Sequence, residues 1–166
     1  MNKLFIALLL VGCSSNPIVD NTEQTTQWIF VANEGNFGAS NGSISMINNN
    51  DEVYHVEEVG DVVQSLEVYE DKLIAIVNNS HLIKLYDITE DGLSFPGIEI
   101  STNGSSPREM DVVDNKVYFT NWNSKDIKVL NLFNYQIENS VALDGLPEDI
   151  ISDGNSLWVS IPNLSL

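Results

Sequence analysis

Only two histidines, His55 and His81, occur in the 166 residues, and neither belongs to a His-x-x-x-His pair, a cysteine pair or an Asp-rich loop with calcium spacing. Isolated histidines of this kind are ordinary surface or packing residues. Gly35, Gly38 and Gly42 lie close together, but their spacing fits neither Gly-x-Gly-x-x-Gly nor a P-loop, and no helix follows to offer its amino terminus to a phosphate. They read as turn glycines. No serine sits in Gly-x-Ser-x-Gly with a base beside it, so serine hydrolysis has no support. Glu109, Asp111, Glu148 and Asp149 are of the type needed for paired acid and base work, yet as solvated loop charges they need no such role. The sequence therefore points to recognition rather than bond-making, with no catalytic residue, metal ligand or cofactor assigned.

Composition narrows the classes of partner. Twenty-four Asp and Glu against seven Lys and Arg give a formal charge of −17. A polyanion cannot gain affinity by releasing counterions from phosphates, which excludes nucleic acid as a natural partner. The hydrophobic fraction, 43%, suits a globular domain and is too high for an acidic disordered tail. The single cysteine, Cys13, cannot close an intramolecular disulfide.

The elements that must position any site emerge from self-comparison after Trp28, where short β-type runs are punctuated by Asn, Asp and Gly. At an offset of 44, Lys72-Leu73-Ile74 meets Lys116-Val117-Tyr118, Asn79-Ser80 meets Asn123-Ser124, and Ile83-Lys84-Leu85 meets Ile127-Lys128-Val129. At an offset of 40, Pro107 meets Pro147 and Val117-Tyr118-Phe119-Thr120 meets Leu157-Trp158-Val159-Ser160. An earlier copy appears when Ile29-Phe30-Val31-Ala32-Asn33 is laid on Ile74-Ala75-Ile76-Val77-Asn78, with an insertion containing Gly35-Asn36-Phe37-Gly38 before Ile44. The clearest unit predicts a strand over Glu109–Val113, a turn at Asp114-Asn115, and a second strand over Lys116–Thr120. A third follows over Asp126–Asn131 and a weaker fourth over Ile137–Ala142.

Four short strands repeating every 40 to 45 residues predict an all-β fold, a β-propeller with about three and a half blades, because each blade buries its faces only by stacking on its neighbours. A β-sandwich is the runner-up, but it has no reason to repeat turn residues at this period.

The order Pro107, Met110-Asp111-Val112, Asp114-Asn115, Val117-Tyr118-Phe119-Thr120-Asn121 and Ile127-Lys128-Val129-Leu130-Asn131 resembles the YVTN (YncE-like) repeat of bacterial seven-bladed propellers. The segment Phe30-Val31-Ala32-Asn33-Glu34-Gly35-Asn36-Phe37-Gly38 is similar to the opening of surface propeller lipoproteins of the Bacteroidota, some of which bind cobalamin beside a TonB-dependent outer-membrane transporter. The resemblance covers Trp28 to about Ser160. It implies that the innermost strand comes first in each blade, and that the turn leading into it shares one face of the disc with the loop between the second and third strands. That face would gather Asn33, Glu34, Asn36 and Phe37 from the first unit and Asn78, Asn79 and His81 from the second. The third would add Arg108, Glu109, Trp122 and Asn123, and the fourth Glu148 and Asp149. Amide, aromatic and carboxylate groups around a funnel suit a polar organic ligand. Trp122 reads equally as a blade-packing residue, and the repeated Asn residues as turn caps.

Residues 1–12 read as a signal peptide. Lys3 precedes the apolar run Leu4–Val11, which is shorter than the roughly 20 residues a spanning helix needs. Leu10-Val11-Gly12-Cys13 resembles a lipobox, which implies acylation of Cys13. Ser14 in place of Asp after the cysteine implies the outer membrane by the same resemblance, facing either the periplasm or the exterior. Residues 13–27 then form a polar tether and residues 28–166 the partial propeller. Under four units fit after Cys13, whereas the resembling family has seven blades. The expectation is therefore an amino-terminal half of a propeller, or a half-propeller that closes by dimerising. Functionally, the expectation is a membrane-anchored binding protein, with a corrinoid as ligand and a TonB-dependent transporter as partner. A protein-interaction scaffold and a propeller enzyme of lyase or quinoprotein type are the alternatives.

Overall fold

The computed structural model describes residues 27–162, so the signal segment, Cys13 and nearly all of the tether lie outside the described residues. Among the described residues there are fourteen strands and no helix, and every pairing is antiparallel. The first sheet holds β1 (Ile29–Asn33), β2 (Gly42–Ile47) and β3 (Val53–Gly60). The second runs β4 (Val63–Tyr69), β5 (Lys72–Val77), β6 (Leu82–Thr89), then β8 (Ile98–Ser101), with the two-residue β7 (Gly92–Leu93) folded back on the end of β6. The third is β9 (Pro107–Val113), β10 (Lys116–Asn121), β11 (Asp126–Asn131) and β12 (Gln136–Ala142). A hairpin of β13 (Ile150–Ser152) and β14 (Leu157–Val159) begins a fourth. The fold is thus all-β, a partial β-propeller, and the period read from the sequence is the period of its blades.

Local chemistry explains the hairpins. Asp114 and Asn115 both have left-handed backbone, φ 48° and 60°, between the paired residues Val113 and Lys116. This is the type I′ pattern, whose twist matches that of the flanking strands, and Asp and Asn tolerate it better than most residues. β11 has the limits expected from its alternation, while β9 starts earlier, at Pro107, and β10 extends to Asn121.

β5 shows why the sheets must stack. Its residues Leu73 to Val77 are apolar at every position and fully buried. Leu73, Ala75 and Val77 pack with Ile44, Met46 and Val59 of the first sheet, whereas Ile74 and Ile76 pack with Met110, Val117 and Phe119 of the third. Alternate side chains thus enter two different interblade cores.

The register of β1 corrects the sequence overlay by one residue. Ala32 pairs with Ile44 and Phe30 with Met46, as Ile76 pairs with Ile83 and Ile74 with Leu85. Ala32 is therefore the counterpart of Ile76, not of Val77. A one-residue slip exchanges the faces of a strand, and the pairing chosen puts Phe30 and Ala32 against the buried cluster while Ile29 and Val31 stay exposed.

Phe119 has no solvent exposure and sits in the core between the second and third blades. Phe119→Ala is expected to cost about 3–5 kcal/mol, measured by urea unfolding, while Phe133→Ala, at a side chain 79% exposed, changes stability by less than about 0.5 kcal/mol.

Candidate functional site

Two loops of equal geometry build the site. Asn78–His81 joins β5 to β6, and Trp122–Lys125 joins β10 to β11; each ends on a residue with left-handed backbone, His81 (φ 55°) and Lys125 (φ 51°). Each loop is tied to the crossover that leads into its own blade. Asn78 N donates to Val62 O at 2.8 Å and Asn79 N to Asp61 O at 3.1 Å. One blade on, Trp122 N donates to Ser106 O and Asn123 N to Ser105 O, both at 3.0 Å. The acceptors Val62 and Ser106 are themselves left-handed, φ 63° and 53°. For β-branched Val62 that conformation is strained by about 1–3 kcal/mol, and the burial of its side chain together with the Asn78 bond offsets it.

The loops and crossovers enclose a groove of about 380 Å³. The first blade supplies Glu34 and Phe37, the second Asn78, Asn79 and His81, and the third Arg108, Trp122 and Asn123. Val62 and Ser106 complete the wall. Eight of the thirteen ligand candidates named from the sequence therefore meet in one depression.

Trp122 is held from two sides. The Arg108 guanidinium carbon lies 4.1 Å from its ring centroid, and its Nε1 donates to Glu148 Oε2 at 3.0 Å. Glu148 Oε1 accepts from Arg108 Nη2, and Arg108 Nη1 donates to Gln64 Oε1 at 3.2 Å. Arg108 Nε is buried with no hydrogen-bond partner among the described residues. Trp122 thus braces the third blade against the crossover of the fourth, the packing role, and also lines the groove.

The asparagines turn their amide nitrogens inward. Asn78 Nδ2 donates to Pro107 O at 2.7 Å, Asn79 Nδ2 to Asp61 Oδ2 at 2.5 Å, and Asn123 Nδ2 to Gly104 O at 3.0 Å. What these side chains offer a ligand is chiefly the carbonyl oxygen, an acceptor. His81 Nδ1 accepts from Ser106 N at 3.1 Å, which ties the ring to the crossover into the third blade.

Five candidates fall elsewhere. Asn33 donates to Ser43 Oγ and Ser45 Oγ within the first sheet, at 3.1 and 2.8 Å. Asn36 closes its own loop, its backbone N donating to Asn41 Oδ1 and its carbonyl accepting from Ala39 N. Glu148 is the brace just described, Asp149 caps the start of β13 through Ile150 N, and Glu109 lies on β9 among Gln64, Ser65 and Asp149. Sequence reasoning missed Asp61, Gln64, Val62 and Ser106. The offset of 44 that pairs Asp61-Val62 with Ser105-Ser106 was the signal available for three of them.

The innermost strands carry carboxylates that dislike their surroundings. Burial pushes Glu109 above its ordinary value, with Asp149 adding to the effect and hydrogen bonds from Ser65 and Gln64 opposing it. Burial, then the charge of Asp111, does the same to Glu67. Among the described residues no three His, Cys, Asp or Glu converge as a metal site would require.

No known family and no curated protein matches the chain in sequence. Solved structures do match in fold. The WD40 β-propeller domain of Doa1 superposes with a TM-score of 0.61 at 17% identity, covering 79% of this chain and 47% of that one. Streptogramin B lyase gives 0.60 at 16% identity, covering 81% and 52%. The Cps50 (Swd1) β-propeller domain of Myceliophteria thermophila gives 0.63 at 10% identity, covering 93% and 55%. The chain spans about half the length of these propellers, and the likeness is one of fold.

A carboxyl whose value is raised on folding contributes stability that is complete below its unfolded value and is lost as pH rises through its folded value. Glu67 and Glu109 are therefore expected to lower the melting temperature as pH climbs from about 4 toward neutrality. Glu109→Gln should raise the melting temperature at pH 7.5 and flatten its dependence on pH, both read by calorimetric melts. An unchanged slope would show that Glu109 ionises freely.

Proposed function

We propose that the protein works by binding rather than catalysis, and that the groove across the first three blades receives a polar organic ligand. One observation carries this reading: Trp122 is fixed in place by Arg108 and Glu148 before any ligand arrives, among acceptor oxygens of Asn78, Asn79 and Asn123. An aromatic wall whose conformation is already set loses little entropy on binding. The mixture of ring surface and a few directional polar groups is what small-molecule sites use. The resemblance of Asn33-Glu34-Gly35-Asn36-Phe37-Gly38 to the opening of cobalamin-binding surface propellers makes a corrinoid the ligand to test first.

On the same reading Cys13 carries the lipid anchor, the propeller stands off the outer membrane on its polar tether, and a TonB-dependent transporter receives the ligand. These parts rest on the sequence of residues 1–27 and on the resemblance.

Isothermal titration of the full-length protein with cyanocobalamin at micromolar concentration tests the ligand. Saturable binding is expected, weakened about tenfold or more by Trp122→Ala, in line with loss of a buried aromatic anchor, and nearly unchanged by Asn36→Ala. No detectable heat removes the corrinoid reading, and capture of a protein partner regardless of ligand favours the scaffold in its place.

A further inference from the structure

The loop between β1 and β2 differs from its counterparts in length and in what holds it. It runs over residues 34–41, whereas the β5–β6 and β10–β11 loops have four residues each. The longer loop brings Phe37, 80% exposed, to the rim of the groove. Asn36 N to Asn41 Oδ1 and Ala39 N to Asn36 O close the loop on itself, and Val63 N donates to Glu34 O at 3.3 Å at its start, so its tip beside Phe37 is the part still to be tied to the next blade.

Asp61 supplies the hold. It is buried, 7% exposed, in the crossover from β3 to β4. Both carboxylate oxygens accept from Gly38 N at 3.0 Å, and Oδ2 also accepts from Asn79 Nδ2 at 2.5 Å. Its backbone N donates to Ser80 Oγ at 2.9 Å, and its carbonyl accepts from Asn79 N. One side chain therefore joins the residue beside Phe37 to the loop of the next blade. At the equivalent place in the following crossover stands Ser105, whose hydroxyl turns to Asn121 Oδ1 at 2.5 Å, and there the loop is short. The carboxylate occurs where the longer loop occurs.

We infer that Asp61 is a positioning residue, a latch that holds the 34–41 loop across the groove so that Phe37 forms one of its walls and helps decide which ligand fits. This rests on the reading of the groove as a binding site for its functional half, but the latch itself is a property of the free protein. Charge-assisted bonds to backbone N–H groups are among the stronger ones available, and the groove reaches its shape only while Gly38 is held.

Hydrogen exchange followed by mass spectrometry on the full chain tests the latch without any ligand. In Asp61→Asn and in Asp61→Ser, which copies the next crossover, the peptide covering residues 35–41 is expected to exchange about tenfold faster or more. Peptides from β5 and β10 should keep wild-type protection, which shows that the blades are still folded. Unchanged exchange of the loop in both variants overturns the proposal. With cyanocobalamin as probe, Asp61→Asn is expected to weaken binding, and adding Phe37→Ala to it should cost less than Phe37→Ala costs alone, because both act through the same wall. Full additivity overturns action through Phe37. If the wild-type protein does not bind this probe, the corrinoid reading falls and the exchange result alone decides the latch.

Discussion

A strand that is apolar on both faces has to be covered on both faces, and β5 imposes that requirement on the whole molecule. Leu73, Ala75 and Val77 drive one neighbour into place and Ile74 and Ile76 the other. At roughly 25 cal/mol per Å² of apolar surface, neither face can be left in water without losing several kcal/mol. Sheets that satisfy this by stacking face to face, each twisted relative to the last, are blades around an axis. The outer faces of the described stack show the same demand unmet, with Ile29 and Val31 exposed at one end and Ile151 and Trp158 at the other.

Stacking then determines where polar groups collect. Because the second and third blades repeat the same short loop and crossover, the backbone bonds of Asn78 and Asn79 to Val62 and Asp61 recur as those of Trp122 and Asn123 to Ser106 and Ser105. Repetition sets these loops side by side at one end of the stack, and a groove forms between them without any element devoted to it. What individualises the groove are departures from the repeat: Trp122 where the second blade has Asn78, Asp61 where the crossover into the third blade has Ser105, and the longer loop that carries Phe37. Strain at Val62 and the raised carboxyls of Glu67 and Glu109 lie on the same crossovers and inner strands, where close approach of the blades leaves polar groups little water.

Much of this was legible in the amino-acid order. The spacing of Lys72 and Lys116, of Asn79 and Asn123, and of Ile83 and Ile127 carried the blade period, and Asp114-Asn115 carried its turn, because alternation and turn chemistry are local. The register of β1 was not legible. The four consecutive apolar residues Ile29 to Ala32 satisfy either of two overlays, and only pairing to Ile44 and Met46 decides between them. Nor were the ends of side chains legible. Asn33 belongs to the same motif as Glu34 and Phe37 yet spends its amide on Ser43 and Ser45, and Glu148 serves as a brace to Arg108 and Trp122 from behind the groove.

By itself the sequence determined an acidic, repeating, all-β chain with no recognisable catalytic constellation, since charge, period and motif spacing are properties of residue order alone. Only the tertiary structure decided which of the repeated loop residues share a cavity, that Arg108 and Glu148 pin Trp122 from different blades, and that Asp61 reaches back to Gly38. The reason is physical. The partners that span blades lie far apart in the chain, 23 positions for Asp61 and Gly38, 26 for Trp122 and Glu148 and 40 for Arg108 and Glu148, and they meet only once buried strands have stacked one blade on the next.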